Sequence, residues 1–290
     1  MTTSEQSGAR AVAETATDSI PRVSLVESHA HIPQAQRIVV KVGSSSVTGE
    51  QVGQIDGLVD ALAAARGRGA EVILVSSGAI ATAIPFLGLD VRFRDVGDLA
   101  TQQAAAAVGQ NVLMWRYQTS LDRHDVLAGQ VLLTAGDMEN PTHRSNARRA
   151  LERLLGLGVL PIVNENDTVA TQEIRFGDND RLAALVSVLV RADILVLLSD
   201  VDALYTRPPS EPGAVRIDHV AHDDDLRAVA FGDVGAAGVG TGGALTKVAA
   251  AKYASEHGVP VLLAETGEVA RALSGERLGT WFQAAPPLGG

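Results

Sequence analysis

From Arg37 onward the chain alternates short runs of β-branched and aliphatic residues with longer alanine- and leucine-rich segments of helical period. Repeated units of this kind restrict the chain to an α/β fold built on a mainly parallel sheet. Strands are expected at 38–42, 71–76, 126–133, 159–163, 194–198 and 259–264, and helices at about 51–67, 97–121, 141–156, 180–191 and 243–257. With 290 residues, 46% of them hydrophobic, there is ample apolar surface for a large core, while aromatics at 3% suit helices packed closely on a sheet. No repeat or linker interrupts the region after residue 37, so 37–290 is read as one domain. The stretch YTRPPSEPGAVRID, residues 205–218, is read as a surface excursion. Residues 1–36 are polar and aperiodic and are expected to form a disordered tail, with His29 and His31 as parts of it rather than a metal pair.

Charge and composition remove several classes of function. The formal net charge is −10, from 34 acids against 24 bases, and no basic block marks a nucleic-acid surface. Cysteine is absent, which excludes disulfides, thiolate metal sites and cysteine nucleophiles, and fits a reducing compartment. The sequence has no run of 18 apolar residues, and its first residues have neither the charged nor the apolar region of a secretion signal. The expectation is a cytoplasmic protein that acts on small molecules, with neither nucleic acid nor membrane as a partner.

Parallel sheets place ligands at the carboxyl ends of their strands, where helix N-termini also point. Those ends read KVGSSS, SSGAI, NEND and LLSDVD, with GVGTGGALTK before the last long helix. Lys41 sits in an otherwise buried strand and is followed by glycine and three serines, a set that can bring an ammonium and backbone N–H groups to a phosphate. Gly238, Gly240 and Gly243 match GxGxxG, with Glu265 at a suitable distance, but no strand runs directly into that loop, and Lys247 is misplaced for a Walker A loop. What survives is a glycine loop that opens a helix carrying Lys247. The acidic stretch HVAHDDD, residues 219–225, is read as a solvated loop or cap rather than a metal site.

The segments VVKVGSSSV, VSSGAI, AAVGQ, GQVLLT, PIVNENDTVA, GDND, LLSDVDALYT and GTGGALTK, in that order, resemble the amino acid kinase superfamily over roughly residues 37–265. NENDTVAT, GDND and GTGG with its following TK resemble most closely the members that phosphorylate the side-chain carboxylate of L-glutamate. The resemblance implies a three-layer αβα sandwich, ATP as donor, Mg²⁺, and formation of L-glutamate 5-phosphate as the first step of proline biosynthesis. It implies that Lys41 and Lys247 contact phosphate and that Asp178 holds them in place. It gives Ser77, Asp167 and Asn179 to the substrate, and Lys41, Ser199, Asp200, Thr241, Gly242, Gly243, Ala244, Leu245, Thr246 and Lys247 to the nucleotide. It also implies an even-numbered homo-oligomer, a dimer or tetramer, and raises feedback inhibition by proline. The chain length leaves no room for the RNA-modification-type domain that many members carry at their C-terminus.

Between residues 163 and 180 the chain places five carboxylates and three asparagines directly after an apolar run. Free glutamate needs acceptors for its ammonium and donors for its α-carboxylate within a few ångströms of each other, and this stretch carries both types. A carboxylate nucleophile is already ionised at neutral pH, so the reaction needs in-line placement and charge neutralisation but no general base. Superfamily kinases of aspartate, N-acetylglutamate, carbamate or UMP are the alternative enzymes. N-acetylglutamate lacks the ammonium, and UMP calls for arginines where only Arg175 and Arg181 lie near the cluster. A non-catalytic amino-acid sensor on the same fold is the alternative from another class, and the presence of both lysines weighs against it.

Overall fold

A computed structural model describes residues 26–49, 53–89, 98–169, 179–227, 229 and 243–286. Eight strands form one sheet in the order β3 (Ala128–Leu133), β4 (Leu160–Glu165), β2 (Glu71–Ser76), β1 (Arg37–Val42), β5 (Ile194–Ser199), β9 (Val261–Glu265), β10 (Thr280–Phe282) and β8 (His219–Val220). The first six are mutually parallel, and β10 turns antiparallel to β9. Six strands therefore lie where the sequence places them. The stretch 205–218 carries a two-stranded ribbon of its own, β6 (Leu204–Tyr205) paired with β7 (Arg216–Ile217).

The central strands are buried on both faces, which is why they read as continuous apolar runs. Alternate residues serve opposite layers. Ile38, Val40 and Val42 pack with residues of α1 (Gln54–Gly67), α3 (Leu99–Leu121) and α8 (Val269–Leu273). Val39 faces the other layer, formed by α4 (Ala135–Glu139), α5 (Pro141–Gly156), α6 (Asn179–Leu189) and α7 (Ala244–Glu256). Lys41 shares the parity of Val39 and so points toward α6 and α7. The result is the expected three-layer αβα sandwich.

Two further elements complete the fold, the first a helix that starts at the strand end SSGAI, the second not expected. Helix α2 (Ala79–Leu87) follows β2 at once, turning on Gly78 at φ 94°, a conformation that costs glycine little. It packs on α3 at Gly109, where a Cβ would sit 1.7 Å from the Ala79 carbonyl oxygen. The second is a 3₁₀ turn over His29–Gln34, which corrects the reading of a disordered tail for residues 26–36; residues 1–25 lie outside the described residues. Val26 and Ile32 are in the core, the His29 ring lies 5.0 Å from that of Trp281, and His29 Nε2 bonds the Leu278 carbonyl at 2.8 Å. Burial lowers the His29 pKa. His31 Nδ1 instead accepts from the Glu27 amide, so the two histidines have separate partners.

Candidate active site

Three charged side chains meet at the carboxyl end of the sheet centre. Asp180, on the first turn of α6, is fully buried and pairs with both Lys41 of β1 and Lys247 of α7, the latter at 3.2 Å. Lys41 and Lys247 are 3% and 8% exposed, so the carboxylate holds two nearly dehydrated ammonium groups. Burial alone would push the Asp180 carboxyl up, but Lys41 and then Lys247, by charge and hydrogen bond, hold it below the ordinary value. The part expected of Asp178 is thus taken by Asp180, two residues later in the same GDND; Asp178 itself lies outside the described residues.

Asn179, beside Asp180, stitches the strand ends together. Its Nδ2 lies 2.7 Å from the Ser76 carbonyl, 2.9 Å from Ser77 Oγ and 2.7 Å from Asn164 Oδ1. Ser77 and Asn179, both expected at the substrate, are therefore in direct contact. Below them the Tyr117 hydroxyl bonds Ser76 Oγ at 2.8 Å within the core, where burial raises its pKa. Asp167 lies on the rim of a cavity of about 220 Å³, along with Glu165, Asn166 and Thr168 after β4 and Gln110, Asn111 and Met114 of α3. Asn164 was expected at the amino acid only as part of NEND, and Gln110 and Tyr117 were given no role. Asn164 stood in NEND and Gln110 in AAVGQ, but nothing local shows that a helix residue and a strand residue will bond.

The residues expected at the nucleotide lie on the other side of Lys41. Ser199, at the end of β5, bonds the Asp200 carboxylate at 3.0 Å, and its carbonyl accepts from the Thr266 hydroxyl at 3.0 Å. Thr266 also bonds Ser46, at 2.7 Å, in the loop after β1, so three strand ends are tied by hydroxyls. Gly243 opens α7 with no side-chain cap bond, and the first amides of a helix are groups that can bind an anion. Ala244, Leu245 and Thr246 form that first turn; Thr246 bonds back to the Gly243 carbonyl, and Leu245 is exposed. Thr241 and Gly242 lie outside the described residues. In HVAHDDD the Asp224 side chain accepts from the Leu226 amide, as a cap does, and the described residues hold no cluster of three or more metal-binding side chains.

Residues 36–265 match the amino acid kinase family. The chain is 68% identical over 260 residues to Glutamate 5-kinase of Leifsonia xyli subsp. xyli, covering 90% of this chain and 95% of that one. It is 69% identical over 255 residues to Glutamate 5-kinase of Clavibacter sepedonicus, covering 88% and 97%. Against the Streptomyces coelicolor protein of the same name it is 56% identical, covering 87% of this chain and 68% of that one. Among solved structures, carbamate kinase from Giardia lamblia bound to AMP-PNP superposes with a TM-score of 0.63 at 14% identity, covering 87% of this chain and all of that one, which speaks to the fold. The chain belongs to the amino acid kinase family.

Proposed function

We propose that this protein transfers the γ-phosphoryl group of ATP to the side-chain carboxylate of L-glutamate, giving L-glutamate 5-phosphate, the first step of proline biosynthesis. The observation that carries the reading is the buried Lys41–Asp180–Lys247 cluster, set between a cavity rich in amides and carboxylates and a helix start without a cap. Identities of 68% and 69% to proteins named Glutamate 5-kinase, over nearly their whole length, support glutamate as the acceptor.

Two anions must meet in this reaction, so the chief work is to offset their repulsion. Lys41 and Lys247 place positive charge where the transferring oxygens develop negative charge, and Asp180 fixes both ammonium groups before ATP arrives. Ser77, Asp167 and Asn179 bind and orient the amino acid, and Ser199, Asp200 and the stretch 241–247 bind the nucleotide. The acceptor carboxylate attacks as it stands, so no side chain removes a proton. Mg²⁺ fits the chemistry as an ion carried by the ATP phosphates with one or two carboxylates, and when bound it offsets phosphate charge. Asp180 is committed to two lysines and is not its ligand.

Assembly into an even-numbered homo-oligomer and inhibition by proline belong to the same proposal, as does a cytoplasmic location, which the absence of cysteine supports. Light scattering tests the first and added proline the second. The activity itself is tested by ADP release with hydroxylamine trapping of the acyl phosphate, run on glutamate, aspartate, N-acetylglutamate and UMP. Turnover with glutamate alone is expected, and preferred turnover of any of the others would refute the assignment.

A further inference from the structure

Gln110 of α3 is 8% exposed and lines the cavity that holds Asp167. The orientation of its amide follows from one fixed donor. The Glu165 backbone N–H, which can only donate, lies 2.8 Å from the Asn164 side chain and so must meet Oδ1. Asn164 Nδ2 then faces Gln110 at 2.9 Å, and Gln110 must present Oε1 to it. Its Nε2 is then the amide end not engaged by Asn164, on a side chain that lines the cavity.

The cavity wall is divided by charge. Glu165 and Asp167 line it on the strand-end loop, Gln110, Asn111 and Gln130 bring neutral amides, and no lysine or arginine lines it among the described residues. An α-amino acid presents the complementary pair, an ammonium for the carboxylates and an α-carboxylate for N–H donors. The same amide chain runs from Gln110 through Asn164 to Asn179, next to Asp180, so Gln110 is at the end away from the lysines. An acceptor with its side-chain carboxylate at the lysines therefore turns its α-carboxylate toward Gln110.

We propose that Gln110 is a specificity-determining residue whose Nε2 donates to the α-carboxylate of the acceptor amino acid, its amide locked in that sense by Asn164. This rests on the reading of the cavity as the glutamate site. Among the described lining residues the charged side chains are Glu165 and Asp167, which favours a zwitterionic head over an N-acylated one.

The test uses the full chain with Gln110→Met and Gln110→Glu, both checked by thermal melting. Methionine keeps length but donates nothing, so KM for L-glutamate should rise about tenfold or more, the scale of a hydrogen bond to a charged group, with KM for ATP and kcat within about twofold. The inhibition constant of 4-aminobutyrate, which lacks the α-carboxylate, should move less than about twofold, whereas a packing defect would weaken both ligands together. Glutamate at 110 keeps an acceptor for Asn164 but turns an anion on the α-carboxylate, so it should weaken L-glutamate more than methionine does. Parallel losses of both ligands, an unchanged KM for L-glutamate in Gln110→Met, or a Gln110→Glu protein that binds glutamate as well as Gln110→Met would each overturn the assignment. If the unmodified protein fails to phosphorylate glutamate, it is the functional reading that falls.

Discussion

Replacing Asp180 with asparagine probes the centre of the site, because it changes charge at a fully buried position while keeping shape. In the native protein one carboxylate neutralises two ammonium groups that are 3% and 8% exposed. Asparagine can still accept from one lysine, but two cations then share a dehydrated space with no anion. Removing one partner of a buried ion pair costs about 3 to 5 kcal/mol. At about 2 to 4 °C per kcal/mol for a chain approaching this size, the melting temperature should fall by roughly 6 to 20 °C. ATP with Mg²⁺ returns negative charge to the lysines, so ligand-induced stabilisation should be larger in Asp180→Asn than in the parent. The rate should still fall by about two orders of magnitude, since misplacing a catalytic charge by an ångström has that effect. Acid provides an independent check. The folded pKa of Asp180 is lowered from 3.8, so its contribution is complete above that value and is lost as pH falls below it toward the folded pKa. Melting curves of the two proteins should thus approach each other only below about pH 4. An Asp180→Asn protein with an unchanged melting temperature and near-normal kcat would refute the role given to this carboxylate.

Lys247→Met should lower kcat by roughly two to three orders of magnitude with a much smaller change in KM for ATP, as measured by ADP release, because this ammonium counts most in the transition state. Asp167→Asn should raise KM for glutamate about tenfold or more and leave KM for ATP unchanged, since it removes the charge proposed to face the substrate ammonium. Gly109→Ala should drive α2 off α3, because its Cβ would meet the Ala79 carbonyl at 1.7 Å; a loss of about 1 to 3 kcal/mol in denaturant melts and a raised KM for glutamate are expected. Deleting residues 1–34 removes the fully buried Ile32 and the His29 contact with Trp281, so a loss of about 2 to 5 kcal/mol is expected, whereas deleting 1–25 spares both.

The sequence by itself determined the layered architecture. Strands buried on both faces must be mostly apolar, and β2, β5 and β9 therefore stand out as aliphatic runs between helices of period 3.6, as does β1 but for Lys41. It also pointed to the strand ends as the place where ligands are expected, since glycines, hydroxyls, carboxylates and lysines collect there, and it marked Lys41 as an ion in a buried strand. Only the tertiary structure decided which groups meet. Nothing local in GDND shows that Asp180 pairs with Lys41 and Lys247, residues 139 and 67 positions away along the chain, because the first turn of α6 brings it to them only in the fold. The amide chain from Gln110 to Asn179 is likewise invisible to any local pattern, because its partners come from a helix, a strand and a helix start that only the fold brings together. The turn at residues 29–34 was hidden for the opposite reason. It is too short and polar to show a period, and it orders because Ile32 and His29 find partners in the core and on β10, which no window of its own sequence contains.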